Sequence, residues 1–154
     1  MKTVTKTAQI IVHIPLQFTF EYVSDLSRHP EWNNGLHIEE VTPGPIAVGK
    51  EYSSHGVVSV QKDRPNTVRV SLYEPLHKFG FIAEDPDFGE AWHVFTFEEQ
   101  SGKVLITRTM TLVLKPIVAF LFSNVVYPLI GGPSMKKSMA ALKQKLEEGV
   151  AILS

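Results

Sequence analysis

Between His37 and Leu114 the chain repeats one texture six times, and no other feature restricts its fold so strongly. The segments near 37–42, 50–60, 67–74, 77–84, 90–98 and 103–114 are rich in Val, Ile, Thr, Tyr and Phe. Between them stand turn formers: Pro43-Gly44-Pro45, Asp63-Arg64-Pro65-Asn66, Glu74-Pro75, Asp85-Pro86-Asp87 and Ser101-Gly102. Consecutive strands joined by turns this short pair as antiparallel hairpins. After Leu114 the apolar period changes from two to 3.6. Met135, Met139, Leu142 and Leu146 mark one stripe of a helix over Ser134 to Gly149, and the Lys and Glu residues of that stretch fall mainly off it. Upstream, Val118, Phe122, Val125 and Leu129 repeat the stripe in a stretch that is apolar nearly all round. Gly131-Gly132-Pro133 is expected to kink or break the helix, because Pro removes a hydrogen bond and crowds the preceding turn.

The N-terminal part completes the element list. Val4 to Ile14 predicts a strand with Ile10, Val12 and Ile14 on one face, and Pro15 ends it at a position suited to starting a helix. Leu16 to Ser24 predicts a short helix, and Asp25 can cap a second turn through Arg28 to Trp32. The order is strand, two short helices, six strands, one long helix. A seven-stranded antiparallel sheet with one wet face must cover its apolar face, and only the C-terminal helix is long enough. The reading is one α+β domain over residues 1–154. The first half of the long helix is expected to be buried between sheet and short helices.

Composition excludes several function classes. Fifteen basic against sixteen acidic residues leave a net charge of -1, so no broad positive field invites nucleic acid. The absence of cysteine excludes disulfides, thiolate catalysis and cysteine metal sites, and fits a cytoplasmic location. His13 and Pro15 cut the N-terminal apolar run, which lacks the pattern of a secretory signal. Ile117 to Ile130 is strongly apolar but shorter than the roughly twenty residues of a spanning helix. No stable membrane insertion is expected, and transient surface contact stays open. The six histidines, at 13, 29, 37, 55, 77 and 93, show no metal-ligand spacing, and no P-loop, nucleophile elbow or dinucleotide fingerprint is present. Neither metal nor cofactor is expected, and monomer and homodimer are equally compatible with the sequence.

The stretch VHIPLQFTFEYVSDLSRHPEWNN joins an apolar strand, Pro15, a short helix with Phe20 and Val23, then Asp25, Leu26 and a Pro30-x-Trp32 turn. It resembles the opening of the START-like superfamily of polyketide cyclases, dehydratases and lipid-transfer proteins. Val48-Gly49 leading a strand and the alternation Val94-Phe95-Thr96-Phe97 before Ser101-Gly102 echo the same family. The resemblance implies a helix-grip fold, a curved sheet wrapped around the C-terminal helix with a cavity between them. It implies no catalytic residue, because binders, carriers and enzymes share the scaffold.

Candidate ligand-binding residues are Trp32, Tyr52, Phe81, His93, Phe95, Arg108, Phe122 and Val126. Trp32 reads either as a core anchor or as a wall of the cavity mouth. His93 shares a strand face with Ala91, Phe95 and Phe97, so it enters the cavity if that face is the inner one. In the opposite register Trp92 and Val94 point inward instead. Arg108 poses the same choice. Inward, with Val104, Ile106, Met110 and Leu112, it needs a carboxylate such as Glu90 or an acidic ligand; outward, it is a solvated charge. Phe81 and Phe95 on strands, with Phe122 and Val126 on the helix, form the expected apolar lining. The leading functional expectation is binding or carriage of a small, largely apolar molecule such as a lipid, polyketide or aromatic metabolite. The alternative is a cyclase or dehydratase acting in the same cavity, with His93 and Arg108 as catalytic candidates. A protein-interaction module, which needs an exposed apolar patch, could draw only on 117–130.

Overall fold

The computed structural model describes residues 1–55, 65–85 and 89–153, with side chains up to residue 149. The chain forms β1 (Lys2–Val12), α1 (Leu16–Ser24), a 3-10 helix (Leu26–Glu31), β2 (His37–Glu40), β3 (Glu51–His55), β4 (Asn66–Glu74), β5 (Lys78–Asp85), β6 (Gly89–Gln100) and β7 (Lys103–Leu114). A C-terminal helix follows in three parts: α2 (Pro116–Leu121), a π-helical segment (Phe122–Gly131) and α3 (Gly132–Leu153). The expected strand over 50–60 is seen as β3, and its remainder lies outside the described residues, as do Asp63, Arg64, Pro86 and Asp87 of the expected turns.

All seven strands form one antiparallel sheet in the order β1-β7-β6-β5-β4-β3-β2. β1, although first in sequence, pairs with the last strand, Lys2 opposite Leu114 and Val12 opposite Val104. The register shifts between Val70 and Leu72, where β4 carries an extra residue against β5. Such a bulge bends its strand. Gly80 sits beside it on β5: a Cβ there would lie 3.1 Å from the His93 carbonyl oxygen and 3.2 Å from Leu72 Cβ. A side chain here fits only if one of these neighbours shifts by a few tenths of an ångström.

The inner face is legible strand by strand. Val104, Ile106 and Arg108 of β7, Phe95 and Phe97 of β6, Phe79 and Phe81 of β5, and Val68 and Val70 of β4 are buried at period two. Met135, Met139, Leu142 and Leu146 of α3 lie against them, all but Met135 almost wholly buried. That stripe is the one the sequence marks.

The first half of the long helix departs from expectation. Between Pro116 and Gly131 only Ala119 is buried. Ile117 is 72% exposed, Phe120 65%, Leu129 73% and Ile130 66%. The stripe of Val118, Phe122, Val125 and Leu129 therefore does not face the sheet. Length supplies a reason. The helix from Pro116 to Gly149 is 34 residues, about 51 Å at 1.5 Å per residue. β7 has 12 residues, about 40 Å. A rod fixed to the sheet along Met135–Leu146 cannot lie flush along its whole length.

Nor does Gly131-Gly132-Pro133 break the helix. Gly132 keeps helical dihedrals, and its N–H donates to the Tyr127 carbonyl five residues back. The wider π turn lets the chain pass Pro128 and Pro133 without a break. The glycine pair serves a close approach, since Cβ atoms on Gly131 and Gly132 would stand 3.0 Å and 3.1 Å from Tyr127 atoms.

Candidate functional site

Antiparallel pairing sets Arg108 of β7 directly opposite Phe95 of β6, and His93 opposite both Phe81 and Met110. Alternation then turns Phe81, His93, Phe95 and Arg108 to the same inner face. Trp32 arrives from the other side. In a 3-10 turn residues three apart eclipse, so Leu26, His29 and Trp32 all point inward, 1%, 2% and 3% exposed. The rings interlock: His29 to Trp32 at 4.7 Å, His29 to Phe81 at 5.7 Å, Phe81 stacked on His93 at 4.7 Å, and Trp32 edge-on to Phe95 at 6.3 Å.

Arg108 lies inside this box, 8% exposed. Its guanidinium carbon is 5.6 Å from the Phe95 ring centre and 5.8 Å from that of Trp32. Nη1 donates to Ser138 Oγ at 3.3 Å, and Ser138 donates onward to the Met135 carbonyl at 2.9 Å. Nη2 stands 3.4 Å from His93 Nδ1. Among the described residues no carboxylate pairs with Arg108. Glu90, the expected partner, is on the outer face, where it accepts a hydrogen bond from Trp92 Nε1 at 3.1 Å. Arg108 Nε and Trp32 Nε1 are both buried with no acceptor among the described residues.

Burial governs the electrostatics. Desolvation lowers Arg108 to about 10, with the nearby Tyr127 hydroxyl opposing the fall. Desolvation drives His93 well below its ordinary value, and the Arg108 charge and His29 push the same way. Desolvation likewise holds His29 at about 4, although its Nε2 bonds the Val23 carbonyl at 2.7 Å. Both imidazoles are therefore neutral near pH 7. Arg108 can only donate, so the His93 Nδ1 facing it is the acceptor, and the ring proton sits on Nε2. One cation, two unused N–H donors and aromatic walls can hold an anionic oxygen.

Burial of the inner face falls off in one direction from this cluster. Towards Val104 and Phe97 the face is buried. Towards the strand ends, Met110 and Leu112 of β7, Ala91 and His93 of β6 and Val4, Lys6 and Ala8 of β1 are only partly buried. Tyr127 lies on this less buried side: its hydroxyl donates to Met135 Sδ at 3.7 Å, and Lys6 Nζ is 4.7 Å from its ring centre.

Of the eight candidates, Trp32, Phe81, His93, Phe95 and Arg108 come together, and three do not. Tyr52 is buried with Lys50 in a separate cleft of about 310 Å³ between α1 and β2–β4, lined also by Glu21, Asp25 and Tyr73. A second cleft, near 320 Å³, lies at the β4–β5–β6 strand ends by Thr67, Glu84 and Glu90. Neither is the expected cavity between sheet and helix. Val126 is 42% exposed, and Phe122 packs on Tyr127 at 5.9 Å. The helical pair fails for a physical reason. In an α-helix Phe122 and Val126 share a face, whereas the π turn brings Phe122 and Tyr127, five apart, together. Sequence reasoning also passed over His29 and Ser138; the three-residue spacing from His29 to Trp32 was the available signal for the first. Among the described residues no three His, Asp or Glu side chains gather as a metal site requires.

No family model matches the sequence, and no curated protein does. Solved structures match along nearly the whole chain. TTHA0849 from Thermus thermophilus superposes with a TM-score of 0.71 at 14% identity, over 95% of this chain and 99% of that one. Ara h 8.0201 gives 0.67 at 11% identity, over 96% and 99%. DynU16, of the dynemicin biosynthetic locus, gives 0.65 at 19% identity over 94% of this chain, which spans 48% of DynU16. At such identities the likeness is one of architecture, and with the seven-stranded sheet and long terminal helix it makes this chain an α+β helix-grip protein of Bet v1-like fold.

Proposed function

We propose that the protein binds a small, largely apolar molecule bearing an acidic oxygen, a carboxylate or a phenolate, with Arg108 as its counter-charge. The carrying observation is a guanidinium enclosed by Trp32, Phe95 and His93 with no carboxylate beside it among the described residues. An unpaired buried charge is destabilising, and a ligand anion would offset that cost. The aromatic walls suit an apolar body, as pockets with few polar groups generally do. Trp32 Nε1 and Arg108 Nε are donors ready for the anion.

The test is displacement of a bound naphthalene-sulfonate dye by matched pairs of acids and alcohols, alkyl and aromatic. The acids should compete better by about tenfold or more, as a charge-assisted hydrogen bond warrants. Arg108→Met should erase the difference while the variant stays folded. Equal competition by acid and alcohol in the unaltered protein would remove the acidic group from the proposal, and absence of any displacement would remove binding itself.

A second reading rests on the His93–Arg108 contact. With Nδ1 turned to Arg108, His93 presents Nε2–H, so the pair could polarise a carbonyl or hold an enolate oxygen during a polyketide cyclisation. In that reading Arg108→Ala and His93→Ala each lower turnover of an aromatic polyketide precursor; unchanged turnover in both would end it.

A further inference from the structure

The stretch from Pro116 to Ile130 is the most apolar of the chain and among its least covered. Ile117, Phe120, Leu121, Leu129 and Ile130 are each at least half exposed. Charge is distributed around it in one sense only. No Asp or Glu occurs before Glu21 or between Gln100 and Glu147, while Lys2, Lys6, Lys115, Lys136 and Lys137 fall within those intervals. Pairing places Lys2 opposite Leu114, beside Lys115 and the start of α2. Lys6 reaches the Tyr127 ring at 4.7 Å from the neighbouring strand. Lys136 and Lys137 are exposed on the first turns of α3. Among the described residues Glu90 of β6 stands one strand from the end of β7, next to Ala91 opposite Leu112, and on the outer face, where it accepts from Trp92 Nε1.

We propose that Pro116–Ile130 is a docking face for an anionic phospholipid surface, lying in the plane of the interface with the lysines at headgroup level. An apolar helix flanked by cations and free of acids is the pattern of such a face: burial supplies adhesion and the lysines supply preference for negative lipid. By length and composition the helix from Pro116 to Gly149 is sufficient to cross a membrane, but its exposed apolar part is too short to do so alone. Pro116–Ile130 covers about 22 Å at α-helical rise, against a hydrocarbon core of about 30 Å. The chain beyond it is held, since Met135, Met139, Leu142 and Leu146 are buried on the sheet. The two proposals adjoin at Tyr127, which contacts Met135 and Lys6 and bears on the Arg108 charge; the substitutions that test docking leave Arg108 and Tyr127 unaltered.

Flotation of the full chain with vesicles tests it, using phosphatidylcholine alone and phosphatidylcholine with about 30% phosphatidylglycerol, at low salt and at about 0.5 M salt. The anionic vesicles should carry roughly tenfold more protein at low salt, and high salt should remove most of that excess. Ile117→Ser with Leu129→Ser, both exposed positions, should reduce recovery at least about fivefold with an unchanged thermal midpoint. Lys136→Glu with Lys137→Glu should abolish the preference for negative lipid. Absence of binding to either vesicle, or equal recovery on both, would overturn the proposal. So would a dimer in sedimentation equilibrium that Ile117→Ser with Leu129→Ser dissociates, which would assign the face to a second copy of this chain.

Discussion

Arg108 is the residue on which stability and function pull apart. A guanidinium 8% exposed and without a carboxylate among the described residues is a site where an apolar side chain of similar length folds better. Arg108→Met should therefore raise the unfolding free energy by about 2 kcal/mol in urea titrations while ending acid binding. A destabilised Arg108→Met would mean that its bonds to Ser138 and His93 outweigh desolvation. His29 sets an acid limit. It is held at about 4 in the folded chain against about 6.5 in an unfolded one. Between those values the unfolded chain binds a proton that the folded chain refuses. Stability is thus full above about pH 6.5 and declines as pH falls through about 4, by up to about 3 kcal/mol. His29→Gln keeps an N–H for the Val23 carbonyl and should flatten much of this slope between about pH 7 and pH 4; the part due to His93, also depressed, remains. An unaltered slope would place the acid sensitivity elsewhere.

At the scale of elements, the strands and α3 were legible because alternation and a 3.6 period each leave a phase. Val104 and Ile106, like Phe95 and Phe97, share one face of their strand as alternation requires, and the structure makes that face the inner one; Met135, Met139, Leu142 and Leu146 form the buried stripe of α3. The π segment left no phase. A stretch apolar nearly all round does not say which side is buried, and Gly-Gly-Pro reads as a stop when the alternative is a wider turn around the Tyr127 ring. That single difference exchanged Val126 for Tyr127. Gly132→Ala separates the two accounts. In an ordinary helix Ala gains about 1 kcal/mol over Gly; against the Tyr127 carbonyl oxygen at 3.1 Å it should instead lose about 1 kcal/mol. A stabilised variant would show that Tyr127 does not wedge there. Gly80→Val, pressed on the His93 carbonyl beside the β4 bulge, should cost about 2 kcal/mol in thermal or urea unfolding. A neutral effect would deny the close strand approach.

For the whole molecule, a seven-stranded sheet and its covering helix followed from hydrophobic patterning, one greasy sheet face and one element long enough to lie on it; the pairing of β1 with β7 did not. The positions of Arg108 and His93 did not follow, because a one-residue change of register carries both to the solvent side. The observed register turns both inward. The result is a domain closed around Val104, Phe97 and Leu142 at one end and loosely covered beyond Arg108 at the other, with a cation and two unsatisfied N–H groups at the boundary. The direct measurement is a nitrogen-15 NMR titration that follows the Nε–H signal of Arg108 and the Nε1–H signal of Trp32. Added aromatic carboxylic acid should shift both and slow their exchange with solvent, and the corresponding amide should leave them nearly unmoved. Signals indifferent to the acid, or equally responsive to the amide, would contradict an anion site at Arg108.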